Sequence, residues 1–78
     1  MIETVPMPKL GELTESVVIT RWLCVVGDVV AEGQSLAEVE TDKLETELQS
    51  PVSGRIARLL AEDGDEVAVG AALLEIER

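Results

Sequence analysis

The stretch Glu38-Val39-Glu40-Thr41-Asp42-Lys43-Leu44-Glu45-Thr46-Glu47-Leu48 joins two alternating runs head to tail. Before the junction, Ala37 and Val39 alternate with Glu38 and Glu40. After it, Leu44, Thr46 and Leu48 alternate with Glu45, Glu47 and Gln49. A period of two sends one set to the buried face of a sheet and the other to water. Only Thr41, Asp42 and Lys43 separate the runs, so a tight hairpin is predicted. It lifts Lys43, the only cation between Arg21 and Arg55, to its tip.

Working outward, the rest of the chain reads as short strands between turn signals. An opening strand is predicted around Ile2–Met7, with Pro6 and Pro8 marking an edge or an exit. A polar loop follows over Leu10–Ser16, and then a β-rich run, Val17–Val25, that contains Trp22. Val29-Val30 and Ser35–Glu40 precede the hairpin, Leu44–Gln49 leaves it, and Ser50–Gly54 breaks the chain. Arg55–Leu60, Glu66–Val69 and Ala72–Glu77 complete the set, and no helix is predicted.

The second half repeats the first. A shift of 37 residues carries Gly27-Asp28 onto Gly64-Asp65, Ile19 onto Ile56, Arg21 onto Arg58, Gly33 onto Gly70, Leu36 onto Leu73 and Glu38 onto Glu75. Two copies of a four-strand unit, about 3–40 and 41–77, imply an all-β flattened barrel or sandwich of two four-stranded antiparallel sheets with pseudo-twofold symmetry. One copy alone has nothing to cover its apolar face. Because the same shift sets Glu3-Thr4 on Glu40-Thr41, the hairpin is expected at the end of the sandwich opposite the termini. Ile19 and Trp22 are three apart, as are Ile56 and Leu59, so a bulge or strong twist is expected in each half. Trp22 is expected in the core, Cys24 as a small packing residue, and Arg21 and Arg58 paired with acids on the outer faces.

Composition narrows the function. The 78 residues form one small domain burying only about 60% of the surface of its unfolded chain. There is one aromatic (Trp22), no His and a single Cys24, which leaves little material for a catalytic triad or a zinc site. No catalytic residue and no metal ligand is therefore assigned. The net charge of −10 disfavours nucleic acid and anionic membranes and favours basic protein partners. An unpaired cysteine fits a reducing compartment, and no run approaches the roughly 20 apolar residues of a membrane span.

Glu40-Thr41-Asp42-Lys43, followed by Ser50-Pro51-Val52-Ser53-Gly54, resembles the signature of the lipoyl domain of the acyltransferase (E2) component of 2-oxo acid dehydrogenase complexes. The opening Met7-Pro8-Lys9-Leu10-Gly11-Glu12, the later Arg21-Trp22-Leu23, Gly27-Asp28 and the spacing Gly33…Lys43…Gly54 are similar to such domains as well, so the likeness covers residues 1–78. It implies the two-sheet fold already argued from the repeat. It also implies that Lys43 carries lipoic acid in amide linkage, installed by a lipoate ligase or lipoyl transferase. The arm would take an acyl group from the 2-oxo acid decarboxylase (E1), deliver it to coenzyme A in the E2 catalytic core, and be reoxidised by the flavoprotein dihydrolipoamide dehydrogenase (E3).

On that resemblance Thr41, Asp42 and Leu44 flank the modification site. Asp42 is expected to hydrogen-bond the turn backbone, and Glu40, Glu45 and Glu47 are candidates for recognition by a partner. Leu44 is bulkier than the residue common after the lysine in the family. No acyltransferase or subunit-binding segment is present, so the chain is expected to be a carrier rather than an enzyme by itself. A monomer is expected, in the cytoplasm in preference to the mitochondrial matrix. Biotin carriers share the fold and the hairpin lysine, but their lysine usually lies between two methionines. Here the neighbours are Asp42 and Leu44, and the methionines are Met1 and Met7. The glycine-cleavage carrier, which also uses a lipoyl-lysine, is longer and has different lysine flanks, and an unmodified acidic interaction module is a further alternative.

Overall fold

The computed structural model describes residues 1–78 and is built of strands alone: β1 (Ile2–Pro6), β2 (Ser16–Trp22), β3 (Val29–Val30), β4 (Ser35–Glu40), β5 (Glu45–Gln49), β6 (Gly54–Leu59), β7 (Glu66–Ala68) and β8 (Ala72–Glu77). They form two four-stranded antiparallel sheets, ordered β1-β8-β6-β3 and β5-β4-β2-β7. The alternation read from the sequence places the strands. β2 stops at Trp22, earlier than the apolar run to Val25 suggests, because Val25 and Val26 lead into the Gly27 turn and face solvent.

The pairing in one sheet is copied in the other. Ile56↔Ile76 and Arg58↔Glu75 in β6–β8 answer Ile19↔Val39 and Arg21↔Glu38 in β2–β4, with the shift of 37. Both strand pairs slip register at the same place, between Ile19 and Arg21 and between Ile56 and Arg58. These are the two irregularities that the three-residue spacings required, and each lets the next apolar residue return toward the interior. The paired arginines sit over matched acids, Arg21 Nε 3.1 Å from Glu38 Oε1 and Arg58 Nη1 3.9 Å from Glu75 Oε1.

For the first strand of each half, the shift of 37 does not hold. Ile2↔Glu77, Val5↔Leu74 and Pro6↔Ala72 in β1–β8 correspond to Glu45↔Glu40, Leu48↔Ala37 and Gln49↔Ser35 in β5–β4, which relates β1 to β5 by 43 residues. Glu3-Thr4 therefore answers Thr46-Glu47, not Glu40-Thr41. The six-residue difference lies in the loop from β1 to β2, which is longer than the one from β5 to β6. The hairpin end of one sheet still corresponds to the chain-terminal end of the other, where Arg78 N–H donates to Met1 O at 2.9 Å.

The halves interlock. The Gly64 N–H donates to Ile19 O at 2.6 Å, and the Gly27 N–H donates to Ile56 O at 2.8 Å, so each Gly-Asp turn docks on the bulged strand of the other half. Those turns need left-handed backbone, with φ of 98° at Gly27 and 90° at Gly64, which glycine adopts without steric cost. Asp28 and Asp65 close them by accepting from the Val25 and Glu62 N–H groups at 2.9 and 2.8 Å.

The core is aliphatic and matched across the repeat: Ile19 with Ile56, Val30 with Val67, Leu36 with Leu73 and Val39 with Ile76 are all buried. Cys24 is buried with them, its thiol directed at Leu36 O. Burial pushes the Cys24 thiol above its ordinary value, and the nearby Asp28 charge adds to the rise. The unfolded chain then loses this proton at lower pH than the folded one. The stabilising contribution is full below the ordinary thiol value and declines as pH rises through the alkaline range toward the folded value. Alkylation at pH 8 should accordingly be slow in buffer and fast in urea; equal rates would show the thiol to be accessible.

Trp22 departs from expectation, being only partly buried against the core. Its indole Nε1–H donates to Ala61 O at 2.9 Å, and one side of the ring walls a cleft. Trp22→Ala should therefore cost roughly 2–3 kcal/mol in urea denaturation, less than the 3–5 typical of a fully enclosed ring. A loss under about 1 kcal/mol would mean that the ring contributes no packing.

Candidate functional site

The hairpin between β4 and β5 closes with Glu40 opposite Glu45 and with Thr41 N–H donating to Leu44 O at 2.8 Å. Asp42 and Lys43 form the tip. No non-glycine residue has positive φ, which excludes the primed turns usual in two-residue hairpins. The backbone is instead held by a side chain: Thr41 Oγ1 accepts from the N–H groups of both Lys43 and Leu44, each at 3.2 Å. Asp42, assigned this role from sequence, makes no such bond. Thr41 stands two and three residues before the donors, the spacing at which a hydroxyl closes a turn on the following backbone, whereas the Asp42 carboxylate is exposed.

Lys43 is exposed and in no ion pair, although acids surround the hairpin. Glu38 faces Glu47 and Glu40 faces Glu45 directly across β4–β5. Like charges in that position are destabilising, and only Glu38 has a cation, Arg21. Glu47 accepts from Ser35 Oγ at 2.6 Å, while Glu40 and Glu45 flank the base of the tip. The structure thus gathers Glu40, Thr41, Asp42, Lys43, Leu44 and Glu45 at one end, with Glu47 farther down the outer face of β5.

Thr46 pairs with the buried Val39 and shares its face, and Leu44 immediately precedes β5, yet both are exposed; of the alternating set only Leu48 reaches the core. The inner side of the hairpin is only partly covered, Leu44 keeping 40% of its surface in solvent. Next to it lies the polar β1–β2 loop. Residues 10–14 and the hairpin residues Thr41–Leu44 together line a cleft of about 450 Å³. The signal that could have found it is the repeat offset, since Pro8 answers Pro51 at 43 residues while β2 answers β6 at 37, marking an insertion.

Thr41→Val, which keeps the shape and removes the acceptor, should speed amide exchange at Lys43 and Leu44 and cost roughly 1 kcal/mol. Thr41→Ser should restore protection. Unchanged exchange in the valine variant would remove Thr41 from this role.

The site can offer one chemical group, a primary amine on a long stem, held at a fixed point by a pinned turn. Residues 3–76 match the biotin–lipoyl family, described as "Biotin-requiring enzyme". The chain belongs to the biotin–lipoyl family. Its curated relatives include the dihydrolipoyllysine-residue acetyltransferase component of the pyruvate dehydrogenase complex of Corynebacterium glutamicum, 49% identical over 92% of this chain and 11% of the relative. Another is the lipoamide acyltransferase component of the branched-chain alpha-keto acid dehydrogenase complex of Pseudomonas putida, 42% identical over 94% of this chain and 17% of the relative. The succinyltransferase component of the 2-oxoglutarate dehydrogenase complex of Bartonella vinsonii is 36% identical over 99% of the chain and 19% of its own length. The chain spans less than a fifth of each of these relatives.

Among solved structures, this biotin–lipoyl fold superposes on the Azotobacter vinelandii lipoyl domain of the 2-oxoglutarate dehydrogenase complex with a TM-score of 0.77, at 24% identity and covering 96% of this chain and 95% of that one. It also superposes on Kluyveromyces lactis urea carboxylase with a TM-score of 0.80, at 22% identity and covering 99% of this chain and 6% of that one. The same fold is therefore shared by a lipoyl domain and by a small part of a carboxylase.

Proposed function

We propose that this domain is a swinging-arm carrier in a 2-oxo acid dehydrogenase complex, with lipoic acid in amide linkage to Lys43. The observation that carries the reading is the unpaired, exposed Lys43 amine on a hairpin tip fixed by Thr41 between Asp42 and Leu44. An amine so placed enters a ligase pocket without disturbing the sheets beneath it. Acylation of Nζ releases a proton and removes the charge. The bound group supplies a disulfide that takes up an acyl group and two electrons.

The chain's own contribution is positional. The two sheets hold the attachment point rigid, the turn displays it, and the hairpin carboxylates give decarboxylase and ligase an acidic surface to recognise. The acyltransferase relatives support delivery to an E2 catalytic core, with reoxidation by E3 completing the cycle. Met7, one of two methionines, is buried away from the hairpin, so the flanks of Lys43 favour lipoate over biotin.

Intact-mass and peptide mass spectrometry after co-expression with a lipoate ligase tests the reading. A lipoyl adduct on Lys43 is expected. A biotinyl adduct with a biotin ligase, or no adduct with a competent lipoate ligase, would overturn it.

A further inference from the structure

Leu13 is 88% exposed and Leu44 is 40% exposed, on a chain with a net charge of −10. Both line the cleft between the β1–β2 loop and the hairpin, together with the partly buried Leu10 and with Lys43 itself. Leu10 is also a wall of a second cleft of about 380 Å³, which continues past Pro8, Trp22 and Leu48. Leu10 thus joins the cleft beside the modifiable amine to a second, mostly apolar cleft lined by residues of both sheets. The loop that supplies Leu10 and Leu13 is the one lengthened relative to its counterpart in the other half.

We propose that Leu10, Leu13 and Leu44 form a resting surface for the arm carried on Lys43. The inference rests on the lipoyl reading of Lys43. A charged ammonium gains nothing from leucine side chains and stays in water. Once acylated, the same stem is neutral and is extended by an eight-carbon chain ending in a dithiolane, whose apolar surface is drawn out of water by neighbouring apolar surface. Lys43 already borders the cleft, so the arm reaches these leucines without any backbone change. Modification would then convert a solvated lysine into a docked arm that a partner has to lift away.

Methyl NMR of the unmodified and lipoylated protein tests this, with the adduct on Lys43 first verified by mass spectrometry. Expected are nuclear Overhauser contacts from the arm methylenes to the methyls of Leu10, Leu13 and Leu44, and shift changes centred on those methyls. In the Leu13→Ser/Leu44→Ser double variant, with core methyls of Ile19 and Ile56 unchanged, the arm's order parameters should fall below about 0.6, the range of flexible segments. An adduct with no such contacts, and with equal arm mobility in parent and double variant, would overturn the resting surface and leave the carrier reading intact. Failure of Lys43 to accept lipoate would overturn both.

Discussion

Lys43→Arg is expected to abolish lipoylation while leaving the fold unchanged. Arginine keeps the positive charge and length, but its guanidinium stays protonated and offers no free amine to an activated carboxyl. The Lys43 side chain makes no hydrogen bond or ion pair, and its backbone N–H bond to Thr41 is independent of the side chain. Stability in urea should remain within about 0.5 kcal/mol of the parent, the usual range for exposed positions. Lys43→Ala should behave likewise. Intact-mass analysis should find no adduct, and reductive acylation by a 2-oxo acid decarboxylase should fall to background. Lys9 is the only other lysine. Modification persisting there would refute the assignment, and an unfolded variant would refute the tip placement.

Gly54→Ala should instead unfold the domain or come close to it. A Cβ built at this position lies 2.5 Å from Glu77 O and 2.7 Å from Ile76 Cγ2. Glu77 O is backbone of β8, whose residue Glu77 pairs with Ile2 on one side and Arg55 on the other. It cannot retreat without opening a ladder, and Ile76 is in the core. Overpacking against such a neighbour should cost roughly 3 kcal/mol or more, a large fraction of a small domain's stability. Gly27→Ala makes a useful contrast. Its φ of 98° strains alanine, but no atom lies within 4 Å of the added carbon. A loss of roughly 1–2 kcal/mol is expected there. Equal urea midpoints for Gly54→Ala and the parent would show that β6 and β8 do not approach as described.

These two residues differ in how legible they were. Lys43 stood out because an odd cation at the junction of two alternating runs is a local pattern. Gly54 entered only as part of the spacing Gly33…Lys43…Gly54, with no packing role attached, since its counterpart by the 37-residue shift is Val17, an ordinary core residue. Nothing near Gly54 in the chain reveals that β8 crosses it. The two bulges were readable because three-residue spacing conflicts with a period of two wherever both residues turn inward. Burial at the hairpin was not, because alternation gives only the side a residue faces.

Taken alone, the sequence settled the strands, the glycine turns, the register slips and the lysine hairpin. Each depends on residues within a few positions of one another, where sterics and periodicity act directly. The tertiary structure decided what covers what. It left Leu44 and Thr46 exposed although alternation turns them inward, and it kept Trp22 only partly buried at a cleft. Thr41, not Asp42, proved to pin the turn, and residues 10–14 came to rest beside Lys43. Those outcomes depend on bond geometry and on segments some thirty residues apart packing together, which local pattern does not encode.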